Sequence, residues 1–314
     1  MKKRFLIYLV LHSLIFGYSA FAQKSLPSEG NEKWKWQRSF SPDTLENDGT
    51  WGASLDYKIS LTGELFAEPK YVNSSGKDIT EFRKKLDLRL ASEGSVATDA
   101  DLNTKPLKAD ARLAFAVNLY KATRTIPGDT PKSSTVISKG FDLGRADFSI
   151  VGGYETDQRL DNRNFTAGGE LACVQTRHDG LRGFIPSIFL GYDLIRVDTS
   201  QIQKDLGVDD RNAERFRAFA KWKLKIGGWI SETLDPLDLH IDLRYYKTES
   251  LPDALNNADQ DEATYAAGTL KYSFTGKEPW GIINAVFVRI DDGRIPPTTE
   301  DGSTITFGVT MFEM

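Results

Sequence analysis

The chain has 314 residues, a formal net charge of −4, 27% charged and 40% hydrophobic residues, and a single cysteine, Cys173. A mildly acidic balance argues against a nucleic-acid partner, whose affinity rests on excess Lys and Arg. One cysteine excludes an internal disulfide framework or a thiolate zinc site, so a large core or the closure of a sheet must hold the fold.

The chain opens with Lys2, Lys3 and Arg4, an apolar run from Phe5 to Phe16, and Ala20-Phe21-Ala22 before Gln23. A charged start, a short apolar core and small residues before the cleavage point predict a secretory signal over residues 1–22, cut after Ala22. The run is shorter than the ~20 residues a membrane helix needs, and no later stretch approaches that length of apolar sequence. An exported chain of this kind either stays soluble beyond the inner membrane or crosses a membrane as strands. Residues 23–32 read as a flexible lead-in, and residues 33–314 as one domain without internal repeats.

Period-2 alternation dominates that domain. A first strand is expected at Lys33–Phe40, with Trp34, Trp36 and Phe40 on one face. From Trp51 to Leu65 the odd positions (Ala53, Leu55, Tyr57, Ile59, Leu61) oppose Asp56, Lys58, Ser60, Thr62 and Glu64. Leu86, Leu88 and Leu90 alternate with Lys85, Asp87 and Arg89; Leu113, Phe115, Val117 and Leu119 with Arg112, Ala114, Ala116 and Asn118; and Ala146, Phe148 and Ile150 with Arg145, Asp147 and Ser149. Further strands fit 163–176 and 183–197. Phe216, Ala218, Ala220, Trp222, Leu224 and Ile226 oppose Arg217, Phe219, Lys221, Lys223 and Lys225. Leu237, Leu239, Ile241, Leu243 and Tyr245 oppose Asp238, His240, Asp242, Arg244 and Tyr246. The series ends with Leu270–Phe274, 280–291 and 302–312. Long loops are expected at 120–140, 198–212, 248–262 and 291–302, and a tight turn at Gly276–Pro279.

The fold class is therefore all-β. Several strands exceed the ~5–6 residues usual in soluble sheets, and aromatics recur near strand ends at Trp51, Tyr154, Tyr192, Tyr245 and Trp280. These features resemble bacterial outer-membrane β-barrel proteins of porin-like architecture. The resemblance covers most of the chain after the signal and picks out no particular family within that class. It implies an antiparallel transmembrane barrel of about twelve strands, with ten or fourteen as alternatives, since an even count returns both ends to the periplasm. It also implies outer-membrane lipid and the barrel-assembly machinery as partners. One departure stands out: such barrels end on an aromatic residue, whereas here Phe312 is followed by Glu313 and Met314, with Ile305, Phe307, Val309 and Met311 on the opposite face.

Charge concentrates on three neighbouring strands. Arg217, Lys221, Lys223 and Lys225 form a basic ladder. Asp193 lies on one side of it, and Asp238, His240, Asp242 and Arg244 on the other. In a lumen these residues make either a constriction that selects solutes by sign or a lattice of ion pairs filling the bore. Asp238-Leu239-His240 also resembles the dyad of omptin-type outer-membrane proteases, but the facing acidic pair has only a loose match at Asp99-Ala100-Asp101, in a predicted loop. No catalytic residue, cofactor or metal site is assigned. The reading is a porin-like channel for small hydrophilic, anion-leaning solutes. The alternatives are a closed structural or adhesive barrel with partner-binding loops, and third, a hydrolase built on Asp238 and His240.

Overall fold

The computed structural model describes residues 34–47, 50–68, 84–99, 103, 105–119, 144–176, 183–209, 211–231, 234–274, 283–299 and 301–311. The expected signal and lead-in, the 120–140 loop, the Gly276–Pro279 turn, Trp280 and Phe312 lie outside the described residues. Twelve strands run in order: β1 (Trp34–Asn47), β2 (Thr50–Ala67), β3 (Lys84–Ala97), β4 (Leu107–Asn118), β5 (Arg145–Thr156), β6 (Arg163–Val174), β7 (Ser187–Thr199), β8 (Asn212–Lys225), β9 (Leu237–Glu249), β10 (Glu262–Ser273), β11 (Ile283–Gly293) and β12 (Gly302–Met311). Each pairs antiparallel with its sequence neighbour, and β1 pairs with β12 to close the barrel. Closure removes the unpaired edges that an open sheet would present to lipid.

Strand lengths run from 10 residues in β12 to 18 in β2, enough for a tilted strand to cross a bilayer. The side-chain alternation is inverted relative to a soluble sandwich. On β7, Ile188, Leu190, Tyr192 and Leu194 are exposed, while Asp193 is buried. On β5, Phe148 and Ile150 face outward while Ser149 and Glu155 are buried. Apolar side chains outside and buried charge inside need a hydrocarbon exterior, because in water that outer surface would be a large apolar liability. Trp51 is exposed at the start of β2, and Tyr154 packs on Phe165 across the outer face at a centroid distance of 5.2 Å.

The antiparallel order sorts the connections into two ends. Those from odd to even strands lie at one end, here the far end; the start of β1, the finish of β12 and the even-to-odd connections lie at the terminal end. Short helices punctuate the connections: α1 (Gln201–Asp205) and α3 (Asp253–Asn256) at the far end, and α2 (Gly227–Ile230) at the terminal end. Ser200 caps α1 by accepting from the Gln203 N–H. β7 begins at Ser187 rather than at residue 183, beyond Pro186, and β10 begins earlier than its apolar residues suggest, at Glu262.

Two inward glycines let the lumen pack. A Cβ on Gly168 would lie 2.1 Å from the Tyr192 carbonyl oxygen and 2.5 Å from an Asp193 carboxylate oxygen, and one on Gly191 would meet the Arg217 guanidinium at 2.8 Å. Gly168→Ala must therefore move backbone, at a cost of about 1–3 kcal/mol. It is expected to lower the temperature at which the folded gel band converts to the unfolded one. The outward Gly152→Ala, whose Cβ meets nothing nearer than 4.0 Å, should leave that temperature unchanged. Equal behaviour of the two variants would refute the close-packing account.

Candidate functional site

The lumen wall carries a buried ion network from β4 to β8. Arg215 on β8 donates to both Glu155 oxygens on β5, at 2.7 and 3.2 Å, and to Asp193 on β7 at 3.2 Å. Arg217, two residues along the same face, donates to Asp193 at 3.0 Å and to Glu170 on β6 at 3.3 Å. Arg112 on β4 donates to the other Glu170 oxygen, and Lys108 lies 3.8 Å from Glu155. Arg215, Glu155, Asp193 and Glu170 are all buried. Each carboxylate thus meets at least two cations, which offsets the desolvation cost that a buried charge carries.

Beside this network the far-end half of the lumen is filled with aromatic and arginine side chains. Tyr246 and Tyr265 are fully buried, packed with Ala263, Ala267 and Ile295, and Phe219 meets Tyr246 edge-on at 5.3 Å. Arg244 lies over Phe219 and Tyr265 at 5.6 and 5.4 Å, and Arg289 lies over Tyr265 at 5.8 Å while donating to its hydroxyl. A guanidinium close to an aromatic ring is attracted by the ring quadrupole and is weakly hydrated, which lowers the cost of placing it there.

The far-end mouth is capped. Gly293, at φ +94°, turns the chain after β11 so that the Arg294 N–H donates to the Thr264 carbonyl at 2.8 Å. A Cβ there would sit 2.2 Å from that carbonyl oxygen, so the turn requires glycine. The buried Arg294 guanidinium then donates to the carbonyls of Thr299 (2.9 Å), Glu262 (2.5 Å) and Asp259. Leu255 from α3 and Ile295 are buried beneath this latch. A cavity of about 110 Å³ lies under it, with Arg215, Asn162 and Gln203 in its lining. At the exposed rim, Lys247 donates to Asp261 at 2.6 Å, and this holds the Asp261 carboxyl below its ordinary range.

Elsewhere water reaches inside. Lys58 and Glu93 point into the lumen 3.1 Å apart, yet 54% and 44% of their side-chain surface is accessible. They line a cavity of about 270 Å³ in which Lys58, Lys105, Lys108, Arg244 and Arg289 face Asp56 and Glu93. Lys105 holds Asp56 at 2.6 Å and Lys58 holds Glu93. The acids nearest Lys108, Arg244 and Arg289 are Glu155, Asp242 and Asp291, which lie outside the cavity lining. Each of the five cations thus has an acid at 2.6–3.8 Å, so charge is balanced across the cavity wall.

The residues singled out from sequence fall into two groups. Asp193 and Arg217 belong to the buried network. Toward the terminal end, Lys221 pairs with Asp242 at 3.7 Å, Asp242 with Arg244 at 2.6 Å, and Lys223 with Asp238 at 3.2 Å. Lys221, Lys223 and His240 retain 42%, 41% and 39% of their side-chain exposure, and Lys225 is exposed at the strand end. His240 Nε2 lies 3.9 Å from Asp238. Asp238 sits near the terminal-end start of β9, whereas Asp99 lies just past β3 at the far end, so the structure does not bring that acid to the dyad. Asp101 lies outside the described residues. Sequence reasoning missed Glu155, Glu170, Arg112, Arg215, Arg289, Arg294, Tyr246 and Tyr265.

The closed antiparallel order, the apolar exterior and the charged interior define a twelve-stranded transmembrane β-barrel, the architecture of bacterial outer-membrane proteins. No family model matches the chain, and no curated protein matches it. Among solved structures it is similar to OmpF of Salmonella typhi in complex with daunomycin, at 7% identity and a TM-score of 0.36, covering 88% of this chain and 97% of that one. The translocator domain of the autotransporter NalP from Neisseria meningitidis gives 11% identity and a TM-score of 0.33 over 97% of both chains. The β domain of the Bordetella autotransporter BrkA gives 8% and 0.35, over 90% of this chain and 100% of that one. Likeness this faint says nothing of what the barrel carries.

Proposed function

We propose that the chain is exported by its N-terminal signal, inserted into a bacterial outer membrane by the barrel-assembly machinery, and acts there as a narrow porin-like barrel that takes small hydrophilic anions into its lumen. The observation that carries this reading is the water-reached cavity of about 270 Å³ inside the lumen, lined by ion-paired Lys58, Lys105, Lys108, Arg244 and Arg289. Toward the terminal end the half-buried Lys221 and Lys223, beside Asp242 and Asp238, and the exposed Lys225 add further basic side chains. Charge rings of one sign select ions by lowering the barrier for the opposite sign. A second reading, a closed barrel whose loops meet a partner, is favoured by the buried network and the capped mouth.

Bilayer recordings separate the two. The channel reading expects ohmic steps, with a reversal potential in a KCl gradient displaced toward the chloride equilibrium potential. Lys221→Glu/Lys223→Glu should move it toward the potassium side without changing the folded gel band, since both side chains are solvent-reached. Absence of steps in the folded protein would leave the closed barrel standing. A reversal potential unmoved by the double substitution would remove these lysines from selectivity.

A further inference from the structure

Ser39 on β1, Lys58 on β2, Glu93 on β3 and Lys108 on β4 form one inward row of paired residues. Its charges alternate: Lys58 lies 3.1 Å from Glu93, and Lys108 lies 3.8 Å from Glu155. Four residues along each strand toward the terminal end, and so on the same face, lies a second row of Lys35, Thr62, Arg89 and Arg112. Here no acid intervenes. Arg89 and Arg112 stand directly opposite each other, and like charges so placed weaken a strand pair.

The two arginines differ in what holds them. Arg112 donates to Glu170, an acid it shares with Arg217. Among the described residues Arg89 has no carboxylate in ion-pairing reach, and its Nε–H is buried without an acceptor. Lys35, exposed near the start of β1, likewise forms no ion pair with a described residue. The acids of the adjoining rows leave this unchanged. Glu64 and Asp87 lie against Lys85, at 3.7 and 3.0 Å. Asp110, two residues from Arg112 on the same face of β4, forms an ion pair with neither arginine. A buried donor without an acceptor carries a cost that a ligand oxygen removes. Arg89 is only half-buried, so a solute in the lumen reaches the rest of its guanidinium.

We propose that Arg89 and Arg112 clamp the carboxylate of a small organic monoanion in the lumen, with Thr62 and Lys35 continuing the row on one side. This rests on the reading of the lumen as a path for small anions, and it adds the residues that hold the solute and the class of its charged group. The parallel N–H groups of a guanidinium match the two oxygens of a carboxylate. One carboxylate between the two side chains screens their repulsion and supplies Arg89 with the acceptors it lacks. A dianion fits less well, because Arg112 already holds Glu170 and Asp110 lies close along β4. The pair therefore offers little more than one uncompensated positive charge.

The test is ligand stabilisation of the folded barrel in detergent, read as the temperature at which the folded gel band converts to the unfolded one. The probes, at constant ionic strength, are propionate, its neutral isostere propionamide, and the dianion methyl phosphate. Propionate should raise the conversion temperature saturably, methyl phosphate less, and propionamide not at all. Arg89→Gln should abolish the propionate shift while leaving the ligand-free barrel no less stable, since it removes a repulsion and an unpaired donor. Arg89→Lys keeps the charge without the fork and should require a higher propionate concentration. Lys204→Gln, an exposed cation on α1, should shift like the parent. No propionate-specific shift in the parent, or a shift that Arg89→Gln or Arg89→Lys leaves unchanged, overturns the clamp. A methyl phosphate shift as large as that of propionate overturns the monocarboxylate class. Propionate current in bilayers is read separately: a shift without current keeps the clamp and removes the channel, whereas current without a shift does the reverse.

Discussion

Arg215→Met is expected to leave little folded barrel after refolding, seen as loss of the heat-modifiable band. Arg215 is buried and satisfies both oxygens of Glu155 and one of Asp193. Asp193 keeps Arg217 at 3.0 Å, but Glu155 keeps only Lys108 at 3.8 Å and a long contact from Asn164 at 3.4 Å. Removing one partner of a buried pair costs about 3–5 kcal/mol, because the other charge stays desolvated. Losing the Lys223–Asp238 pair, which water reaches, should cost about 0–1 kcal/mol. The mechanism makes a sharper claim: Glu155→Gln added to Arg215→Met should recover much of the folded fraction by removing the stranded charge. A single variant as stable as the parent, or a double variant no better than the single, would contradict the network account.

The outline of the barrel was legible because most strands repeat one rule. On β2, β5, β8 and β9 every second residue is apolar, and lipid on one side of a closed sheet asks for that pattern. The ladder residues Arg217, Lys221 and Lys223 and their neighbours on β9 were legible for the same reason, being the polar half of strictly alternating strands. Glu155 and Glu170 were not, since they lie 60 and 47 residues from their arginines. Their pairing crosses intervening strands through the lumen, so it depends on barrel radius rather than on neighbouring register. β10 misled for another reason. There Ala263, Tyr265 and Ala267 point inward as part of the packing beneath the cap, while Thr264 and Gly268 face out, so the usual polarity is reversed over half the strand. Arg294 lies in a loop, where alternation carries no information, and only the turn at Gly293 places it.

That arginine sets the largest functional effect expected here. Its guanidinium donates to carbonyls of the β9–β10 connection, the first residue of β10 and the β11–β12 connection, and so ties together two loops that each bury an apolar side chain, Leu255 in one and Ile295 in the other. Hydrogen bonds from a charged group are each worth about 1.5–3 kcal/mol, and less where water reaches the acceptor. They share one donor group and do not add, so about 3 kcal/mol is a fair figure for the latch. A shift of that size moves a closed-to-open ratio by about two orders of magnitude. Arg294→Ala should therefore convert a mouth that is nearly always capped into one open for much of the time. In bilayers this would appear as longer open dwell times and a larger unitary step, and in solution as faster protease nicking within 250–261. Arg294→Lys keeps the charge but cannot reach three acceptors at once, so it should fall between the two. Because Tyr246 and Tyr265 remain packed below, the barrel itself should stay folded and heat-modifiable. An alanine variant with unchanged dwell times and unchanged nicking would make the cap a fixed part of the wall, held by Leu255 and Ile295 and indifferent to the arginine above them.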